Sequence, residues 1–185
     1  MELTNLERYL ESFGKYVVQQ SKSNLTKAKK NVSKDLYNSI KYKIEFSNGE
    51  FSVDFYMRDY GTFVDKGVSG KSNIQEFVNY NNKKVESPYK YTTKGPPVDI
   101  LSKWIKARGI KPTGFKRGRS TKTGQFISGF AYLISRKILR EGIKSTSFFQ
   151  RPLGLASRKF GVNILRALKE DVLTVFSKQI KTSVQ

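Results

Sequence analysis

Residues 41–57 constrain the fold more tightly than any other stretch. Tyr42, Ile44 and Phe46 alternate with Lys41, Lys43 and Glu45, and Phe51, Val53, Phe55 and Met57 alternate with Ser52, Asp54 and Tyr56. Between the two runs lies Ser47-Asn48-Gly49-Glu50, where Asn-Gly supplies the positive φ angles of a two-residue hairpin turn. Period-two alternation gives such a hairpin one apolar face, and that face has to be covered. The flanking sequence offers helices to cover it.

On the amino-terminal side Leu3, Leu6, Leu10, Phe13 and Val17 recur at helical spacing, with Leu25, Ala28, Val32, Leu36 and Ile40 roughly in phase. This predicts a long amphipathic helix over about 3–30, capped by Thr4 or Asn5, and a short second one holding Leu36, Tyr37 and Ile40. Residues 58–67 suit a short helix or a tight loop. Residues 69–94 are polar and show little periodicity, which predicts a long loop with an interface role. Pro97 suits the first turn of a helix with Ile100, Leu101, Trp104 and Ile105, ending near Gly109. A further helix is expected over 127–140 with Gly142 as its stop, then an extended segment over 145–152. The last helix is expected over 153–181, with Phe160, Ile164, Leu168, Val172, Val175, Phe176 and Ile180 in one stripe. The expected class is α+β: long N- and C-terminal helices packed on a small antiparallel sheet built around the hairpin, in a single domain over 1–185 with no internal repeat.

Charge is distributed unevenly. Over the 185 residues the net charge is +20. Residues 1–100 hold 16 Lys and Arg against 12 Asp and Glu, and residues 101–185 hold 19 against 3. The second half therefore points to a polyanionic neighbour such as nucleic acid, an acidic protein surface or anionic lipid, with a merely solvated basic face as the plain alternative. This charge lies in the last two helices and in Lys111, Lys116, Arg117, Arg119 and Lys122, a Gly- and Pro-containing stretch without acids that reads as a flexible basic loop over 111–126.

Residue types limit the chemistry. The chain has no Cys and no His, which removes thiolate nucleophiles, cysteine-ligated metals and the commonest general base. No phosphate-cradling loop or dinucleotide fingerprint is present. Asp54 and Asp59 have the residue type of a nuclease metal pair, but two carboxylates five residues apart arise readily by chance. The expectation is a non-enzymatic protein with no cofactor and no resident metal. No run approaches the ~20 apolar residues of a membrane span, and residues 1–13 lack the apolar core of a signal peptide, so no membrane partner is expected. Tyr80, Tyr89 and Tyr91 stand among polar residues, where tyrosine favours a protein contact over a purely local role.

Several blocks occur in a telling order: YGTFVDKGVSG over 60–70, SPYKYTTKGPP over 87–97, a helix with Trp104, a basic Gly-containing loop ending at Phe126, and SFFQRP over 147–152 before a long helix. In this the chain resembles the tail-completion and head–tail joining proteins of long-tailed bacteriophages, a family of minor tail and neck components. The resemblance implies a small α+β virion protein, present in the host cytoplasm during assembly. It would form a ring with copies of itself, typically six-fold, at the head-proximal end of the tail. There it would contact neighbouring neck and tail-tube proteins, with double-stranded DNA passing non-specifically through the lumen. Lys111, Lys116, Arg117, Arg119 and Lys122 then become candidates to face DNA. Tyr60, Phe63, Asp65, Tyr80, Tyr89, Tyr91, Phe148, Phe149 and Arg151 become candidates for subunit interfaces. A free, non-sequence-specific nucleic-acid-binding protein is the alternative function.

Overall fold

The computed structural model describes residues 4–30, 33–47, 50–110 and 123–183. Along the chain run α1 (Thr4–Lys27), α2 (Asp35–Ser39), β1 (Lys41–Ser47), β2 (Glu50–Tyr56), α3 (Gly61–Lys66), β3 (Val68–Ser69), β4 (Glu76–Val78), β5 (Lys84–Glu86), α4 (Val98–Ala107), α5 (Thr123–Glu141), β6 (Gly142–Ile143) and α6 (Gln150–Ser183). The fold is α+β, with long terminal helices and small antiparallel sheets. It divides into two compact units: residues 1–61, 78–83 and 148–185 form the first, and residues 62–77 and 84–147 form the second.

The first unit is built on α1 and α6 running antiparallel. Asn5 meets Asp171, Phe13 and Tyr16 meet Phe160, and Asn24 lies near Phe148. Leu6, Leu10, Val17 and Leu25 of α1 are buried, as are Ala156 and Ala167 of α6. The two alanines let the helices approach closely. The hairpin has the expected register, with Tyr42 opposite Phe55, Ile44 opposite Val53, Phe46 opposite Phe51 and Ser47 opposite Glu50. Its apolar face rests on α1, where the Phe13 and Phe55 rings meet edge to face at 6.1 Å and Tyr42 packs over Gly14. Phe55 also meets Phe149 at 5.4 Å, which ties the sheet to the start of α6. The face narrows toward the tip, and Phe46 is left 57% exposed.

The second unit packs α4 against α5. Leu101, Ile105 and Ala131 form its buried centre, with Val98, Ile110, Phe130, Ile134 and Ile138 around them. The Ser135 hydroxyl of α5 donates to the Pro96 carbonyl at 2.7 Å, which anchors the segment leading into α4. β3 pairs antiparallel with β6, Val68 opposite Ile143 and Ser69 opposite Gly142. Gly142 has φ 81°, and a Cβ there would lie 2.2 Å from the Val68 carbonyl oxygen. Only glycine both ends α5 and lets the two strands meet.

Several expected boundaries move. Residues 69–94 are not one unstructured loop: they hold the β4–β5 pair, and Ser69 bridges Lys90 in parallel. Three-residue strands in polar sequence leave too short a pattern to detect. Pro97 is the residue before α4 rather than its first turn, because its ψ of 136° is extended. α5 begins at Thr123, so the end of the expected loop over 111–126 is helical, while residues 111–122 lie outside the described residues. Residues 145–152 are not a strand; pairing occurs at Gly142 and Ile143, and α6 already begins at Gln150 with Pro152 in its first turn, where a missing N–H costs nothing. The stripe expected on α6 also shifts. Phe160, Ile164, Val172 and Val175 are half-buried as expected, but Leu168 and Phe176 are exposed, and the buried positions include Ala156, Ala167 and Asp171 instead. Because α1 runs antiparallel and starts opposite Asp171, the residues near Phe176 extend past its described end.

Candidate functional site

The first unit presents a cleft where a tight turn sits on the start of α6. Residues 79–83 form the turn: the Lys83 N–H donates to the Asn79 side-chain oxygen at 2.9 Å, and Asn82 adopts φ 61°. Asparagine tolerates this left-handed conformation better than most residues. The turn is fixed to α6 by the Tyr80 N–H, which donates to the Gln150 side-chain oxygen at 3.1 Å. It is also held close by Gly154, where a Cβ would lie 2.0 Å from the Tyr80 carbonyl oxygen.

Arg151, Leu155 and Arg158 project from one face of α6 at i, i+4 and i+7. Together with Asn79, Tyr80 and Asn82 they line a cavity of about 250 Å³. Both arginines are exposed. Among the described residues neither guanidinium is paired with a carboxylate. Two forked cations beside amide side chains, with an apolar leucine between them, suit a carboxylate or another oxyanion. The same side of α6 continues with exposed Val162, Leu165, Leu173 and Phe176, interrupted by Lys169.

In the second unit the blocks over 60–70 and 87–97 meet each other, and the Ser147 N–H at the head of the third donates to the Asp65 carbonyl at 2.9 Å. The Ser87 hydroxyl donates to the Gly67 carbonyl at 2.7 Å. The Ser69 N–H donates to the Tyr89 carbonyl at 2.8 Å and the Tyr91 N–H to the Ser69 carbonyl at 2.9 Å. The Phe63 and Tyr89 rings meet at 4.5 Å, and the Thr146 hydroxyl donates to the Val64 carbonyl at 2.8 Å. Burial pushes the Tyr91 phenol above its ordinary value.

The candidate residues thus fall into groups. Tyr80 and Arg151 come together in the cleft, and Phe63 and Tyr89 pair in the second unit, with Phe63 still exposed. Tyr60 is exposed, whereas Tyr91 and Phe149 are half-buried. Asp65 and Phe148 are corrected: they are 3% and 0% exposed, so their surfaces are used inside the chain and leave nothing for a neighbouring subunit. Lys111, Lys116, Arg117, Arg119 and Lys122 lie outside the described residues. Asp54 is half-buried and accepts from the Ser52 hydroxyl at 3.1 Å. Among the described residues no three carboxylates come together as a metal site. Among them, too, no helix is long and apolar enough to cross a membrane. Arg158 and Leu155 escaped the sequence reading, although their spacing from Arg151 would have revealed them had the helix been started at residue 150. Comparison with protein families, with curated proteins and with solved structures found no match.

Proposed function

We propose that this protein is a structural subunit, not an enzyme, that assembles with copies of itself into a ring at the head-proximal end of a bacteriophage tail. The ring joins the tail tube to the head–tail connector, and double-stranded DNA passes through its lumen. The observation that carries this reading is the ordered set of blocks at 60–70, 87–97 and 147–152. Their interlocking hydrogen bonds support it, because such blocks then mark a shared architecture rather than a catalytic centre. Exposed Tyr60, Phe63, Tyr80 and Arg151 remain as interface candidates, in keeping with the aromatic and arginine enrichment of protein interfaces. Electron microscopy of purified particles should place the protein as a ring, six-fold by the resemblance, between capsid and tail. Its absence from purified virions would sink the proposal. Replacing Lys116, Arg117, Arg119 and Lys122 with Ser should leave folding intact and impair DNA retention or particle assembly; normal infectious particles would return that segment to a solvated face.

A second reading follows from the 19 to 3 excess of bases over acids after residue 100: a free, non-sequence-specific nucleic-acid-binding protein. It requires the isolated protein to bind duplex DNA with steep salt dependence. Binding no tighter than that of an unrelated protein of equal charge would end it.

A further inference from the structure

We propose that the Arg151–Arg158 cleft and the outward face of α6 receive the end of the β1–β2 strand pair of a second copy of this chain, in a head-to-tail contact centred on Glu50. The inference rests on the reading that the chain assembles with itself, and it names the two surfaces that meet.

The receiving surface is apolar and basic at once. Val162, Leu165 and Phe176 are 66%, 69% and 57% exposed. Large apolar side chains gathered on one outward helix face are seldom left open. Arg151, Arg158 and Lys169 punctuate the same side. Pairing this face with its own copy would set like charges against each other, so a symmetric α6–α6 contact is disfavoured. Phosphates alone would neutralise the cations but leave the apolar side chains wet.

The complementary surface is formed by Phe46, Glu50 and Phe51 at the end of the β1–β2 strand pair. The Phe46 and Phe51 rings stack on each other at 4.5 Å, yet Phe46 remains largely exposed. Register places these rings on one face of the ribbon and Glu45 and Glu50 on the other. Glu45 is occupied by Lys43 at 2.7 Å, and this carboxylate in turn raises the pKa of the Lys43 ammonium. Glu50 is exposed and has no ion-pair partner among the described residues. A hairpin end entering edge-on brings the Glu50 carboxylate on one face of the ribbon to Arg151 and Arg158, while the rings on its other face cover Val162 and Leu165 further along α6. The hairpin packs on α1, and the receiving face of α6 is turned away from α1, so the two surfaces are distinct. Contact between distinct surfaces propagates from copy to copy and closes into a ring when the rotation allows.

The test is charge reversal in the full-length protein, read by sedimentation velocity at low and physiological salt. Wild type should self-associate. Glu50→Arg and Arg158→Glu should each weaken self-association at least tenfold with unchanged circular dichroism, and combining them should restore most of it. Phe46→Ser, which leaves the charges alone, should weaken it as well. If wild type self-associates and neither reversal changes it, this contact is wrong while the ring reading stands. If the reversals act but the combined variant does not recover, Glu50 is not the partner of the cleft. A wild type that stays monomeric at every concentration overturns both.

Discussion

Asp171 is the sharpest place to test how the first unit is held together. Its carboxylate is 4% exposed and lies against the first turn of α1. There it accepts from the Leu6 N–H at 2.9 Å, the Asn5 side-chain amide at 2.8 Å and, at 3.4 Å, the Asn5 N–H. The first four N–H groups of any helix lack intrahelical acceptors. Thr4 and Asn5 were the expected local caps, but both lie inside α1, and Asn5 spends its side chain on Asp171. The cap thus comes from a residue 165 positions away in sequence from Leu6. Replacing Asp171 with Ala leaves the Leu6 N–H buried and unpaired. A hydrogen bond to a charged group contributes about 1.5–3 kcal/mol, and a lost cap costs about 0.5–2 kcal/mol. These describe overlapping interactions, and removing a buried carboxylate also recovers its desolvation cost. The expected net loss is therefore about 2 kcal/mol. For a chain of this size that corresponds to a fall of roughly 4–8 °C in Tm, or about 1 M in the urea midpoint. Asp171→Asn keeps an acceptor for Leu6 without the charge and should lose about half as much. Amide exchange at Leu6 should accelerate in Asp171→Ala beyond what the global change explains. A Tm within a degree of wild type, with Leu6 still protected, would refute the capping argument.

Other substitutions probe separate parts of the fold. The Ser21 hydroxyl is fully buried with no hydrogen-bond partner among the described residues, so Ser21→Ala should stabilise by about 1 kcal/mol in urea denaturation. Gly154→Ala should destabilise by about 1–3 kcal/mol despite alanine's better helix propensity, because the new Cβ meets the Tyr80 carbonyl. The same change should loosen residues 79–83, seen as faster amide exchange at Tyr80. Burial raises the Tyr91 phenol above the value it takes in the unfolded chain. Above pH ~10 the unfolded state therefore deprotonates first, and stability falls as pH rises through the folded pKa. Tyr91→Phe should blunt that alkaline loss while leaving stability at pH 7 nearly unchanged; an identical alkaline profile would show that burial of Tyr91 is not its source.

What the sequence revealed follows the range of the interactions. The hairpin was legible down to its register, since alternation and Asn48-Gly49 act within a few residues. The existence of α1, α4, α5 and α6 was legible for the same reason. The β3–β6 pair was not: each strand has two residues, and their pairing depends on the absence of a Cβ at Gly142. In the cleft, Tyr80 drew notice as an aromatic among polar residues and Arg151 through the Phe-Phe-x-Arg-Pro block, yet nothing in either segment says that they meet. Their meeting depends on Gly154, whose missing side chain admits the Tyr80 backbone, and on Gln150, which a helix started at residue 153 leaves outside. That same late start put Arg151 out of phase with Arg158. Asp171, counted only as a rare acid in a basic half, turned out to be the cap of the first helix. The physical lesson is one of contact type. Apolar periodicity announces which face a helix buries, but polar and backbone contacts between distant segments leave single residues as their trace. On α6 these contacts set the buried line through Gly154 and Asp171, and they turn Val162, Leu165 and Phe176 outward. The basic apolar surface offered to a neighbour is thus a consequence of how the helix is pinned from within.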